Sequence, residues 1–319
     1  MKCLCCGKTI TNNASGLEKE WCWHKRCVRN FFQTEELPAL DITKEKLEVL
    51  ANEIVNEGLT VPGVQKKLSL YLSSDLNTRL TIVDYPTGYI LKPQTEEFEN
   101  MPEFEDLAMR LAEIMGIRTV PHALIKMNDE YAYITKRIDR KITEKTVKLY
   151  AMEDFCQLSY RLTQDKYKGS YENCGRIIKR YSVMPGLDLS ELFLRVVGSF
   201  VMGNSDMHLK NFSLKETEPG NRKFQLSEAY DMLPVNVIMP EDKEQLALTI
   251  NGKKRNIHRK EFRLLAESCG ISLSAAEHMI KKICSLEKKL LKQVDEAYLS
   301  EAQRGQMKEI ISKRIEILC

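Results

Sequence analysis

Asp206 and Asn211 stand five positions apart in Gly203-Asn204-Ser205-Asp206-Met207-His208-Leu209-Lys210-Asn211-Phe212-Ser213-Leu214. Phosphoryl transfer asks for a carboxylate and an amide at this spacing on one loop. The carboxylate accepts the proton of the attacking hydroxyl, and the amide holds a metal ion on the nucleotide phosphates. Lys210, between them, would neutralise charge on the group in transfer. A second carboxylate must reach the metal from elsewhere, and Asp231 is the candidate. Phe212-Ser213-Leu214 and Lys223-Phe224-Gln225-Leu226-Ser227 read as short strands on either side of Glu218-Pro219-Gly220-Asn221, a turn signal. Such a hairpin would bring Asp231 back beside Asn211. The plainer reading is a polar loop ahead of an ordinary hairpin, and the residues upstream decide against it.

Tyr89-Ile90-Leu91-Lys92-Pro93 is a short apolar strand carrying one lysine. Such a lysine usually points to solvent; turned inward, it would pair nucleotide phosphates and a helix glutamate. The helix follows at Glu103 to Met115, with Leu107, Leu111 and Ile114 on one face and Gly116 at its end. Glu105 is the expected partner, Glu103 the substitute. Val120 to Lys126 and Tyr131 to Lys136 flank Asn128-Asp129 as a hairpin. Arg137-Ile138-Asp139-Arg140 then leaves the sheet as a connector between lobes. Asp139 is placed for a ribose hydroxyl, or for a helix cap or surface ion pair. Ahead of these, Asp41 to Glu57 reads as a helix capped by Thr43. Pro62-Gly63 opens onto a strand through Leu72, where backbone amides with Lys66 or Lys67 would lie against phosphates, or form a plain turn.

The first 37 residues read as a separate unit. Cys3-Leu4-Cys5-Cys6 and His24-Lys25-Arg26-Cys27 supply two ligand pairs on two short turns, the usual way to build a tetrahedral zinc site. Cys3, Cys6, His24 and Cys27 are the expected ligands, with Cys5 and Cys22 as spares. A cluster of reduced thiols around Trp21, Trp23, Phe31 and Phe32 is the alternative. A module this small can hardly bury enough surface to stand without a staple. With all four positions filled by protein, the ion would be structural.

The rest reads as helical. Leu189 to Met202 is a core helix capped by Ser190 or Asp188; Ser272 to Tyr298 and Glu301 to Ile317 follow, with Ile280, Ile283, Leu286, Leu290 and Leu291 as a packing stripe. Lys281-Lys282 and Lys288-Lys289 make a solvated face. Lys253-Lys254-Arg255, on an Asn251-Gly252 turn, is a candidate for an acidic or RNA-bearing substrate, or an exposed basic turn.

At 319 residues the chain is long enough for two lobes. Its 48 basic and 45 acidic residues leave a net charge of +3, so no global basic field predicts sequence-specific nucleic-acid binding. No apolar run would span a bilayer, and Met1-Lys2-Cys3 does not open a signal peptide. Ten scattered cysteines without an export signal suit reduced thiols in a cytoplasm.

Five segments, in order, resemble the HipA-like Ser/Thr kinases, toxins of bacterial toxin–antitoxin systems. They are Thr60 to Leu68, Ile90-Leu91-Lys92-Pro93, Lys136 to Arg140, the loop from Gly203 to Leu214, and Ala229-Tyr230-Asp231-Met232-Leu233. The resemblance covers roughly residues 58 to 270, including a hairpin at Ala247 to Ile257. It implies an α+β, bilobal protein-kinase-like fold, which after the knuckle at 1–37 divides into a β-rich lobe over 38–140 and a helical lobe over 141–319. ATP and magnesium would be the cofactors. Lys92 would meet the nucleotide phosphates together with Gly63, Val64 and Gln65. Lys136 and Ile138 would lie by adenine and Asp139 by the ribose. Asp206 would be the base, oriented by a hydrogen bond from His208 unless that is a satisfied core histidine, and Asn211 and Asp231 would be the magnesium ligands. Thr60 holds the place of a regulatory phosphosite. Lys136 stands where a glutamate is common. A small N-terminal subdomain of the full-length kinases has no counterpart here, which matches the shorter HipT type. That type works with a small HipS-like partner and a DNA-binding antitoxin, and an aminoacyl-tRNA synthetase is the implied target. A small-molecule phosphotransferase and a nucleotide-binding pseudokinase are the alternatives.

Overall fold

Buried apolar residues set the main sheet. Leu68 and Leu70 in β2 (Leu68–Ser73), Leu91 in β4 (Tyr89–Lys92), Ala123 and Ile125 in β5 (His122–Met127), and Ala132 and Ile134 in β6 (Glu130–Lys136) are all buried. With β1 (Ala39–Leu40) and β3 (Arg79–Thr81) the order is β1-β3-β2-β4-β6-β5, antiparallel except for the β1–β3 pair. The β5–β6 turn is Asn128-Asp129, with Asn128 at φ 55°, the left-handed backbone that a two-residue hairpin requires. The computed structural model describes residues 1–40, 67–73, 79–81, 87–143 and 146–319. The helix expected over 41–57, and Thr60, Gly63, Val64 and Gln65, lie outside the described residues.

By internal contact the chain forms two units: residues 1–106 with 121–137, and residues 107–120 with 138–319. The first holds the six-stranded sheet and, before it, two short helices, α1 (Gly16–Trp21) and α2 (Lys25–Phe32). The division falls inside α3 (Met101–Ile114), whose residues 104–109 are all buried.

In the second unit, a hairpin of β7 (Arg140–Ile142) and β8 (Val147–Leu149) precedes a three-stranded sheet of β9 (Met152–Asp154), β10 (Ser213–Glu216) and β11 (Phe224–Leu226). Around it lie α4 (Phe155–Leu158), α5 (Tyr171–Tyr181), α6 (Pro185–Met202), α7 (Val235–Ile238), α8 (Arg259–Cys269), α9 (Leu273–Ser285), α10 (Glu287–Asp295) and α11 (Glu301–Leu318). Helix α6 starts four residues ahead of the expected Leu189, because Pro185 at its first position supplies the start. Neither expected cap acts as one. Ser190 Oγ donates to Gly186 O at 3.0 Å within the helix, and Asp188 accepts from Ser182 Oγ at 2.6 Å and Leu226 N at 2.8 Å. The helix expected over 272–298 is two helices meeting at Leu286, and Ile280, Ile283 and Leu290 are buried across the break. The pattern therefore belongs to the α+β class, with strands dominating the first unit and helices the second.

Candidate active site

Helix α6 ends at Gly203, whose φ of +75° is a left-handed cap, and the chain turns into the loop that carries Asp206. Asn204 Oδ1 accepts from Asp206 N at 3.1 Å, while Asp206 O takes His208 N at 2.7 Å and Asn211 Nδ2 at 2.9 Å. The backbone of Asp206 is thus held on both sides, and its side chain remains 37% exposed. Tyr167 Oη donates to Asp206 Oδ1. The Tyr167 ring stands edge-on to His208 with centroids 5.0 Å apart. His208 Nε2 is 3.9 Å from the same carboxylate oxygen, beyond hydrogen-bonding length, so Tyr167 makes the orienting contact that His208 was expected to make. Burial, and then the negative charge of Asp206, hold the phenol well above its ordinary pKa, so it stays a donor. The segment bearing Tyr167 is stitched to its surroundings: Lys166 O accepts from Leu209 N at 3.1 Å and Gly169 O from Thr249 N at 3.2 Å.

Asn211 Nδ2 also reaches Asp231 O at 3.4 Å, so one amide ties together the two segments that the β10–β11 hairpin returns to each other. With Nδ2 engaged, Oδ1 is the ligand atom of this amide. Asp231 sits at φ +60°, a conformation few side chains adopt. Beside it, Tyr230 Oη donates to Lys210 O at 3.1 Å and shares a 2.5 Å hydrogen bond with Ser213 Oγ. An amide oxygen and a carboxylate form the hard-oxygen set that magnesium takes, so the donors present fit that ion. Lys210 Nζ pairs with Asp154 Oδ2 at 3.1 Å, and the other oxygen of Asp154 caps α4 by accepting from Gln157 N at 2.9 Å.

In the first unit Lys92 points inward. It is 4% exposed, its Nζ lies 5.4 Å over the Tyr133 ring, and it forms an ion pair with Glu105, which has no exposure at all. β4 runs between β2 and β6, and a lysine buried there needs a partner for its charge. Glu103, the substitute, is also buried, and burial pushes its carboxyl up to about 7. Lys136 donates to Asn30 O at 3.2 Å and lies 5.5 Å over the Phe31 ring, and burial lowers its pKa. In the second unit Ile138 is half-buried, and Asp139 is gripped by Arg140 through two bonds of 3.0 and 2.8 Å, the surface ion pair among its expected roles.

Cys3, Cys6, His24 and Cys27 lie together with all their ligand atoms within 4.8 Å of one another, so placed that they could hold a metal ion. Cys6 Sγ is 3.4 Å from His24 Nδ1. Cys22 donates instead to Met1 Sδ and Lys19 O, each at 3.6 Å. Two of the three basic residues of the turn are paired with glutamates beyond it: Lys253 with Glu261 at 2.6 Å and Lys254 with Glu244 at 3.0 Å. Two residues at the loop escaped sequence reasoning, Tyr167 and Asp154. A phenol or carboxylate so far upstream carries no spacing signal.

Among the described residues, no helix is long and apolar enough to cross a membrane. In structure the chain is similar to HipA of Shewanella oneidensis MR-1, solved with HipB and operator DNA. The TM-score is 0.67 at 17% identity, over 82% of this chain and 64% of that one. It is also similar to the Helicobacter pylori proinflammatory kinase CtkA, with a TM-score of 0.53 at 14% identity, over 81% of this chain and 93% of that one. The fold is therefore HipA-like and protein-kinase-like. In sequence it is 25% identical over 272 residues to the putative kinase Y4mE of Sinorhizobium fredii, covering 82% of this chain and 63% of that protein. To the putative kinase Y4dM of the same organism it is 30% identical over 230 residues, covering 67% and 54%. The chain thus spans between 54 and 63% of the length of these relatives. Residues 59–290, well over half the chain, match the HipA-like C-terminal domain, and the protein belongs to that family.

Proposed function

We propose that this protein transfers the γ-phosphoryl group of ATP to a serine or threonine hydroxyl of another protein. The observation that carries the reading is the Asp206 loop, where a fixed, solvent-facing carboxylate is followed by an amide whose nitrogen is bound to the Asp206 and Asp231 carbonyls. Asp206 would take the acceptor proton as the acceptor oxygen bonds to the γ-phosphorus and the bond to the bridging oxygen breaks, releasing ADP. Asn211 and Asp231 would hold magnesium, which supplies neutralisation of phosphate charge. Lys92, kept straight by Glu105, would bind the nucleotide phosphates, with Gly63, Val64 and Gln65 on the same phosphates, Lys136 and Ile138 beside adenine, and Asp139 at the ribose. Lys210, anchored by Asp154, would meet the charge that develops in transfer.

The structural likeness to a HipA solved with HipB and operator DNA supports the wider reading: a toxin of a HipA-type system, acting in the cytoplasm with a DNA-binding antitoxin and a small HipS-like partner. Its target would be an aminoacyl-tRNA synthetase, and Thr60 its autophosphorylation site. Cys3, Cys6, His24 and Cys27 would hold a structural zinc ion, away from the transfer chemistry.

Incubation with γ-labelled ATP and magnesium tests the reading. Label should appear on protein, vanish in Asp206→Gln while nucleotide still binds, and vanish in Asp231→Asn together with magnesium-dependent binding. Wild-type protein that binds no ATP in calorimetry would refute it, and label found only on a small molecule would replace the protein acceptor.

A further inference from the structure

β5 is the last strand of the main sheet, and the free side of such a strand presents bare backbone groups. Here the N-terminal module takes both groups of one residue. Leu124 N donates to Leu4 O at 3.1 Å, and Trp23 Nε1 donates to Leu124 O at 3.1 Å. Leu4 follows Cys3 directly, and Trp23 directly precedes His24. Each bond to the strand is therefore made one residue from a side chain of the four-ligand cluster. The helix that follows extends the attachment to other strands. Phe31 and Phe32 stand 5.9 and 5.3 Å from the Tyr89 ring of β4, Tyr89 Oη donates to Phe31 O at 3.2 Å, and Lys136 of β6 reaches Asn30 O.

The two halves of this module are built from short elements. Its helices are six and eight residues long, too short to persist on their own. Between the halves, Leu4 N donates to Cys22 O at 2.8 Å and His24 N to Cys3 Sγ at 3.3 Å. An amide donating to a ligand sulfur is the kind of outer contact that steadies a metal-bound thiolate. Zinc bonds of about 2.0–2.3 Å put tetrahedral ligand atoms about 3.6–3.8 Å apart. The 3.4 Å between Cys6 Sγ and His24 Nδ1 is close to that, and all four ligand atoms lie within 4.8 Å of one another.

We propose that a zinc ion on Cys3, Cys6, His24 and Cys27 clamps the N-terminal module over the β5 edge, so that the integrity of the sheet carrying Lys92 depends on the metal. This rests on the zinc reading of the knuckle and is independent of phosphoryl transfer. Loss of the ion would free the turns bearing Leu4 and Trp23, strip the cover from Leu124 and reopen the strand edge to other chains.

The test uses the full chain purified under reducing conditions. Elemental analysis should find about one zinc per chain. Hydrogen exchange followed by mass spectrometry, before and after chelation, should then show peptides covering residues 1–32 and 120–136 exchanging at least about tenfold faster without metal, with protection restored by added zinc. Peptides from β10 and β11 should be unchanged. Trp23→Phe keeps every ligand, so it should keep the zinc and still speed exchange in β5. Absence of zinc from the reduced protein overturns both the site and the clamp. One zinc with β5 exchange unaltered by its removal, or loss of protection in β10 and β11 to the same extent, overturns the clamp alone.

Discussion

Lys92 and Asp206 are set on opposite kinds of scaffold. Lys92 stands on an inner strand, almost without exposure, and its charge is answered by Glu105 on the following helix. Asp206 stands on irregular backbone, open to water, held by its neighbours in the loop and by a phenol 39 positions upstream. The first arrangement is dry, and its charges must balance inside the protein if the unit is to fold. The second is wet, and its carboxylate is solvated whether or not a partner touches it. Substitutions in the first region should therefore register mainly in stability, and those in the second mainly in chemistry.

The largest effect that would sharpen this contrast is in Lys92→Ala, which strands the Glu105 carboxylate in an apolar setting. Chemical denaturation should show a loss of about 3–5 kcal/mol, mostly recovered when Lys92→Met is combined with Glu105→Gln. Asp206→Ala should cost under about 1 kcal/mol in the same experiment, as surface substitutions do. Equal losses would break the comparison.

Glu103 extends the dry region and gives it a pH dependence. Burial first, helped by the charges of Glu130 and Asp106, lifts its carboxyl from 4.5 to about 7. Between those values the folded protein binds the proton more tightly than the unfolded chain, so the stability it confers is full below about pH 4.5 and falls as pH rises through 7. Glu103→Gln removes that decline. Relative to wild type it should be about 3 kcal/mol more stable at pH 8 than at pH 4, read from denaturation at the two values. No difference between the two pH values would place Glu103 in water.

The smallest effect belongs to the wet region. Tyr167→Phe removes one hydrogen bond to a charged group, worth on the order of tenfold in kcat, with the KM for nucleotide unchanged. A raised KM at constant kcat would show that Tyr167 serves binding rather than the carboxylate.

The same contrast governs what could be read from the residues alone. Lys92 and Glu105 lie on a strand and a helix whose periods are written in Leu91, Leu107 and Leu111, so the elements are legible in local patterns, while the pairing itself comes from the kinase reading of a strand lysine. The cysteine and histidine pairs were equally legible, because turn spacing is a local property. Tyr167 and Asp154 were not, since they lie 39 and 56 positions from the residues they hold and only tertiary folding brings them there. The start of α6 was misplaced because Pro185 sets it ahead of the apolar run. The break at Leu286 was invisible because α9 and α10 bury one continuous stripe.

Asp231 carries a last consequence through its left-handed backbone. Asparagine and glycine are the replacements that sit comfortably there, while others add a penalty of about 1–2 kcal/mol in backbone strain. An alanine scan would therefore confound lost ligand charge with a distorted turn. Asparagine is the clean control at this position, because it removes the charge of the proposed magnesium ligand and leaves the turn as it is.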